Sequence, residues 1–143
     1  MRACAVVEEA RRWIGTPYRH HGRLRGVGCD CLGLVLGVWE ALNGPLPEKV
    51  PPYSADWAEI ADGDRLAQAA SRHLVPAPLG EIAAGDVLLF RWRQHTAAKH
   101  LAIAVSADRM IHAHDGAAVC EVAISMGWKR KIAFRYKFYE NMI

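Results

Sequence analysis

Several features that define other protein classes are scarce or missing in this sequence. Four cysteines, at positions 4, 29, 31 and 120, do not form the framework of a disulfide-stapled secreted domain, so free thiols are predicted. No apolar run approaches the roughly 18 residues that a membrane helix needs. Neither charge sign dominates, since 18 basic against 15 acidic side chains give a formal net charge of +3. So small a surplus is typical of a solvated surface, and no nucleic-acid partner is predicted.

The N-terminal segment lacks the pattern of an export signal. Glu8 and Glu9 interrupt the stretch that would be apolar in a secretory signal, and Cys4 lies too close to the start for a lipoprotein signal. We therefore expect synthesis in the cytoplasm without a signal peptide and without membrane insertion. Work outside the cell would need another route of delivery.

The order of the periodic segments predicts the fold class. With 143 residues, of which 52% are hydrophobic, the chain is predicted to form one domain, 1–143, without staples. Helical spacing is found at 5–14, 31–42 and 54–74, the last broken near 62–63. Strand patterns are found at 86–92, 101–105, 110–114, 119–123 and 131–138. Helices first and strands later indicate an α+β fold with an antiparallel sheet.

The stretch GVGCDCLGLV places two cysteines on either side of one aspartate, immediately before an apolar helix. Cys31 falls in the first helical turn, where unpaired N–H groups and the helix dipole would lower the pKa of a thiol. Cys29 stays in the preceding loop. Asp30 lies at or near the cap position, where its charge partly opposes thiolate formation. Cys31 is a candidate nucleophile, and the alternative is a small apolar residue at the start of a core helix.

Two glycines interrupt this helical segment. Gly33 and Gly37 lie four residues apart, and each costs about 1 kcal/mol of helix propensity relative to alanine. Their presence predicts that a neighbouring backbone approaches the helix closely.

Two of the seven histidines are candidates for the base that a cysteine nucleophile needs. His100 immediately precedes the predicted strand 101–105 and His112 lies inside the predicted strand 110–114. Their separation of 112 − 100 = 12 residues is even, which puts both on one face of the sheet. A turn centred on Ala107 sets His112 opposite Ala102 and diagonal to His100. The two imidazoles are predicted to form a base and its orienting partner, with His114 as the rival to His112.

A metal site and a redox pair are the competing interpretations of the cysteines. Cys29 and Cys31 could bind zinc together with His20-His21 or with the histidines of 112–114. Structural zinc sites favour wider cysteine spacing and a second cysteine pair, which this chain lacks. The C-x-x-C spacing of a redox dithiol is also absent. No metal and no cofactor are predicted.

Five short motifs carry a resemblance when they are taken in order. They are Thr16-Pro17-Tyr18, Asp30–Val35, Ala84–Leu88, His100–Ile103 and Ile111–Ala113. This set resembles the NlpC-type cell-wall peptidases, which are papain-like cysteine endopeptidases of bacterial peptidoglycan. The resemblance runs from about residue 8 to about residue 125. The GCDCLGLV version and the compact length are most similar to the subgroup encoded with phage tail genes and gene-transfer particles.

The resemblance implies a role for five residues. Cys31 matches the nucleophile, His100 the general base and His112 the residue that orients the base. Tyr18 matches a tyrosine whose hydroxyl helps the backbone N–H of Cys31 to stabilise the tetrahedral oxyanion. Asp30 falls where the family shapes its peptide groove. The implied fold is papain-like, with the nucleophile helix packed on the antiparallel sheet.

The chain departs from the family pattern in three places. Leu32 stands where many members have serine, so a hydroxyl near the site is missing. Residues 43–80 carry no matching motif and are predicted to form an insertion over or beside the groove. Cys29 matches no catalytic position.

The function implied by the resemblance is hydrolysis of peptidoglycan stem peptides by thiol acyl transfer. The bond is typically the one between γ-D-glutamate and meso-diaminopimelate. Delivery to the cell wall by a phage-like tail is also implied, with tail-tip proteins as partners and the virion or tail-like particle as the location. Two alternatives stay open: a tail-tip structural or binding module with little activity, and an amidase or acyltransferase that uses the same cysteine.

Overall fold

The computed structural model describes residues 2–46 and 65–138. The described helices are Arg2–Arg11 (α1), Cys31–Asn43 (α2), Arg65–His73 (α3) and Met126–Lys129 (α4). The strands are Arg23–Leu24 (β1), Gly28–Cys29 (β2), Val75–Ala77 (β3), Val87–Phe90 (β4), His100–Ala104 (β5), Arg109–His112 (β6), Cys120–Ala123 (β7) and Ile132–Lys137 (β8). Of these helices, none is long and apolar enough to span a membrane.

Six of the strands form one antiparallel sheet in the order β3-β8-β4-β5-β6-β7, while β1 and β2 form a small separate hairpin. Helices together with an antiparallel sheet confirm the predicted α+β class. Between β5 and β6, Ile103 pairs with Ile111, which is the register set by a turn centred on Ala107. Continued by one residue, this register brings His112 opposite Ala102, as predicted.

The two faces of the sheet pack differently, because successive side chains of a strand point to opposite faces. One face lies against α1 and α2, where Leu101, Ile103 and Ile111 join the core that contains Leu34 and Val38. The other face carries a second apolar cluster. Its buried members are Leu88, Phe90, Ala102, Ala104, Met110 and Ile124. His100 and His112 share the strand parity of this second cluster.

The two glycines of α2 are sites of close approach. A Cβ at Gly33 would collide with the carbonyl oxygen of Gly22, in the loop before the helix. A Cβ at Gly37 would overlap the indole ring of Trp13. The predicted close approach of a backbone is therefore correct at Gly33, whereas at Gly37 the neighbour is a side chain.

Three local features differ from the sequence prediction. Residues 23–29, where the sequence predicts no strand, form the hairpin β1–β2. Strand β3 was not predicted because Pro76 lies in it, and the strand is tolerated because it is an edge strand that pairs only with β8. The short helix α4, capped by the Ser125 side chain, was also missed. Of the helix predicted at 54–74, α3 is described, and 54–64 lies outside the described residues.

Candidate active site

Asp30 builds the turn into α2. It is the N-cap residue, and its Oδ1 accepts a hydrogen bond from the Gly33 N–H at 2.7 Å. Its Oδ2 accepts a second from the His21 N–H at 2.9 Å. The predicted cap is confirmed. Asp30 is only 3% exposed, and these hydrogen bonds stabilise the loop and the helix on either side of Cys31.

The Cys31 thiol lies against the beginning of β5. Its Sγ is 4.0 Å from the carbonyl oxygen of Lys99, and the backbone of Leu101 also hydrogen-bonds to the sulfur. The backbone of Leu32 points at the sulfur from the helix side. The nucleophile candidate therefore meets the residues on either side of His100.

The environment of the sulfur corrects one prediction. Burial raises the pKa of the Cys31 thiol to about 12, although the backbone hydrogen bonds from Leu101 and Leu32 lower it. The helix N-terminus was expected to lower this pKa, but the loss of water outweighs its effect because burial disfavours the charged form. The resting thiol is protonated, so the thiolate must form by proton transfer to a neighbouring base.

His100 and His112 form the predicted pair. His100 Nε2 and His112 Nδ1 are 2.9 Å apart, and each residue is 4% exposed. Burial, followed by the proximity of His112 and His114, lowers the pKa of His100 to about 3, so its imidazole is neutral near pH 7. For Nδ1 of His100 to accept a proton, the neutral ring must carry its hydrogen on Nε2, which then donates to His112 Nδ1. Within the described residues, no hydrogen bond joins Cys31 Sγ to His100.

His114 is a neighbour of this pair and not its orienting partner. Its ring centroid lies 5.4 Å from that of His100 and 5.6 Å from that of His112. Its Nδ1 is instead 3.2 Å from the carbonyl oxygen of Asp115. The structure therefore favours His112 over His114 as the partner of His100.

Tyr18 lies close to the nucleophile. It is half-buried and forms an isolated parallel bridge with Cys29. Burial raises the pKa of its hydroxyl to about 12, and the charge of a Cys31 thiolate is the next cause. The hydroxyl therefore stays protonated and can donate a hydrogen bond to an oxyanion beside Cys31.

Cys29 has a different environment from Cys31. It is fully buried in the main core cluster, and burial raises the pKa of its thiol to about 12. Its N–H donates to the Pro17 carbonyl and its carbonyl accepts from the Arg19 N–H. Cys29 packs beneath the loop that leads to Cys31. Across residues 2–46 and 65–138, no group of three or more histidine, cysteine or acidic side chains is arranged to hold a metal ion.

Two tryptophans beside His100 were missed at the level of sequence. The ring of Trp92 stacks on His100 with centroids 5.4 Å apart at 26°, and that of Trp128 does so at 5.6 Å and 28°. Trp92 could have been found, because Phe90 pairs with His100 and Trp92 has the same strand parity. No sequence signal indicates Trp128, which arrives from the unpredicted helix α4.

Acid should destabilise the fold through His100. The unfolded chain binds a proton near pH 6.5 and the folded chain only near pH 3, so this contribution to stability is complete above about pH 6.5 and is lost as the pH falls. We expect His100 alone to account for a loss of about 2 kcal/mol in the free energy of unfolding between pH 7 and pH 5. Urea denaturation at both pH values measures it.

Matched substitutions separate this effect from general acid sensitivity. His100→Asn should reduce the pH dependence and leave the part due to His112, whose pKa burial lowers to about 4, whereas His95→Asn, at an exposed position, should retain all of it. An equal pH dependence in the wild-type chain and His100→Asn would contradict the assignment.

Comparisons with known proteins identify the family and the fold. The model of the NlpC/P60 family matches residues 15–135. The fold is similar to the NlpC/p60 domain of peptidoglycan hydrolase SagA, with 21% identity, a TM-score of 0.65, and coverage of 96% of this chain and 100% of that one. No protein of curated function matches this chain significantly.

Two longer proteins share the fold. A lipoprotein-like NLP/P60 protein of Staphylococcus aureus is 21% identical, with a TM-score of 0.66 over 98% of this chain and 42% of that one. An NlpC/P60 protein of Bacillus cereus is 19% identical, with a TM-score of 0.68 over 95% of this chain and 40% of that one. This chain thus spans less than half the length of either protein. At these identities the likeness shows the papain-like fold.

Proposed function

Because this chain belongs to the NlpC/P60 family and is by that membership a cysteine peptidase, we propose that it hydrolyses peptidoglycan stem peptides with Cys31, His100 and His112. The observation that carries the proposal is the position of the Cys31 sulfur. It lies against the backbone on both sides of His100, whose ring is tied to His112 at 2.9 Å. The thiol of the candidate nucleophile therefore lies against the part of the backbone that carries the neutral base and its orienting group.

Acylation begins with proton transfer from Cys31 Sγ to His100 Nδ1. Burial disfavours a lone thiolate and a lone imidazolium, but the two opposite charges stabilise each other when they lie side by side. The sulfur attacks the amide carbonyl, and the oxyanion accepts hydrogen bonds from the Cys31 N–H and the Tyr18 hydroxyl. His112 Nδ1 accepts the Nε2 hydrogen of His100 throughout and thereby holds the ring.

Deacylation completes the cycle. His100 gives its proton to the leaving amine as the C–N bond breaks, which leaves a thioester on Cys31. A water molecule then gives a proton to His100 and attacks the thioester. The carboxylic acid departs, and the sulfur recovers its proton from His100. Atoms and protons balance, and no cofactor takes part in these steps.

The bond cleaved is tested with defined muropeptides. We propose the amide between γ-D-glutamate and diaminopimelate, on the strength of family membership. Mass spectrometry of the digest should then show a new diaminopimelate amine and a fragment that ends in D-glutamate. Release of the whole stem peptide from the lactyl group would identify an amidase, and a product extended by an added amine would identify an acyltransferase.

Delivery by a phage-like tail is a separate part of the proposal. Its support is the GCDCLGLV motif, which resembles the peptidases encoded with tail genes and gene-transfer particles. Co-purification of the chain with tail-like particles, together with digestion by those particles, tests it. Particles that contain the chain but digest no peptidoglycan would instead support a tail-tip structural module.

A further inference from the structure

The imidazole of His100 is stacked with two neighbouring indole rings, those of Trp92 and Trp128, whose centroids lie 5.6 Å apart and which have no role in the acyl-transfer steps. The small angles of Trp92 and Trp128 to His100, 26° and 28°, show contact through the flat faces of the imidazole. The rings of His112 and His114 meet it at 74° and 63°, hence at an edge. Both tryptophans are half-buried, whereas His100 beside them is only 4% exposed.

We propose that Trp92 and Trp128 are positioning residues for His100, which fix the plane of its ring and keep water away from it. The inference rests on the proposed function, in which His100 is the base. The single hydrogen bond to His112 fixes one ring atom and leaves the ring plane undetermined. Stacking with the two adjacent indole rings restricts that plane. The Nδ1 edge is then held in one direction, as proton transfer requires.

The two tryptophans are held in place by backbone hydrogen bonds and by the side chain of Lys131. The backbone N–H of Trp128 donates to Ser125 Oγ at 3.2 Å, and the backbone carbonyl of Trp128 accepts from the Lys131 N–H at 2.9 Å. The Lys131 carbonyl accepts in turn from the Arg91 N–H at 2.9 Å, next to Trp92. Lys131 Nζ lies 5.5 Å from the Trp92 ring centroid and 6.0 Å from that of Trp128, within the range of a cation–π contact.

The indoles of Trp92 and Trp128 also help to keep His100 neutral. The titratable groups that contact its ring are His112 and His114, from β6 and the segment after it; Lys131 lies beyond the indoles, and the Cys31 thiol lies against the backbone of the preceding residue, Lys99. None of these is a carboxylate that would stabilise an imidazolium. When an indole is removed, water can reach the ring and favour its charged form. The pKa of His100 should then rise towards its ordinary value.

The test compares Trp128→Ala with Trp128→Phe. In the alanine variant, the acid limb of kcat/KM on a stem peptide should move up by at least one pH unit, because His100 is protonated more readily. We expect kcat to fall about tenfold to a hundredfold with KM nearly unchanged, as a misplaced base predicts. Trp128→Phe keeps a flat ring, so its acid limb should stay near that of the wild type and its kcat within a few-fold of the wild-type value.

A matched control removes an indole elsewhere. Trp39 lies in α2, is buried, and donates from Nε1 to the His73 carbonyl at 3.1 Å. Trp39→Phe should lower stability and leave the acid limb in place. If Trp128→Ala does not fold, Trp128→Leu supplies apolar volume without a flat ring. It should lower kcat in the same way and shift the acid limb in the same direction by a smaller amount, because leucine still excludes part of the water.

A second readout is independent of hydrolysis. NMR titration of the His100 ring in the inactive Cys31→Ala background should show protonation at least one pH unit higher when Trp128→Ala is added. An unchanged titration would overturn the positioning role, as would a KM increase with kcat and the acid limb unchanged. Failure of the wild-type chain to cleave any stem peptide would sink the proposed function, while the titration would still decide whether the indoles shield His100.

Discussion

Cys31→Ala should lower kcat for stem-peptide hydrolysis by at least about 10⁴-fold, since removal of a covalent nucleophile leaves only binding and oxyanion contacts. The loss should fall on kcat, because the Cys31→Ala chain keeps the Asp30 cap and the N–H groups that open α2. Release of soluble fragments from purified peptidoglycan, followed over time by mass spectrometry, measures the effect.

The neighbouring cysteine provides the control for that experiment. Cys29 lies two residues away but is fully buried in the core, so its thiol cannot reach substrate. Cys29→Ala should keep the wild-type rate, with a lower melting temperature because buried volume is lost. Hydrolysis by Cys31→Ala at a rate near that of the wild type would show that the Cys31 thiol is not the nucleophile.

Substitutions of His112 should separate acceptor geometry from imidazole chemistry. Asparagine can place an oxygen near the position of Nδ1, so His112→Asn should keep an acceptor for His100 Nε2–H and retain kcat within about tenfold. His112→Ala removes the acceptor and should lower kcat by about 10²-fold to 10⁴-fold, because the base then loses both its tautomer and its orientation. Steady-state kcat and KM of the two variants, compared with His100→Ala, measure this difference.

An alternative partner would produce a different pattern. If His114 orients the base, His114→Ala should be the damaging substitution and His112→Ala should be mild. The 2.9 Å separation of His100 Nε2 and His112 Nδ1 predicts the reverse.

The sequence predicts the histidine pair because strand geometry is simple. An even separation puts His100 and His112 on one face, and the turn at Ala107 sets the register that Ile103 and Ile111 show. The beginning of α2 is equally predictable, since an aspartate before an apolar helical run is a strong cap signal. These inferences need only local periodicity and one turn.

Other features of the site depend on contacts between distant parts of the chain. The raised pKa of the Cys31 thiol follows from its burial beside Lys99, 68 residues away along the chain, and this burial outweighs the effect of its own helix. Trp128 reaches His100 from a four-residue helix with almost no periodicity to detect. Strand β3 was hidden by Pro76, which a central strand would exclude but an edge strand accepts.

The central claim is that the Cys31 sulfur forms a thioester with the acyl half of a stem peptide. A γ-glutamyl substrate with an activated leaving group makes acylation fast, so the acyl-enzyme should accumulate. Rapid acid quenching and mass spectrometry with fragmentation should show a burst of about one equivalent and the acyl mass on Cys31. A steady release without a burst, with no adduct on Cys31 or with the adduct on Cys29, would contradict the account.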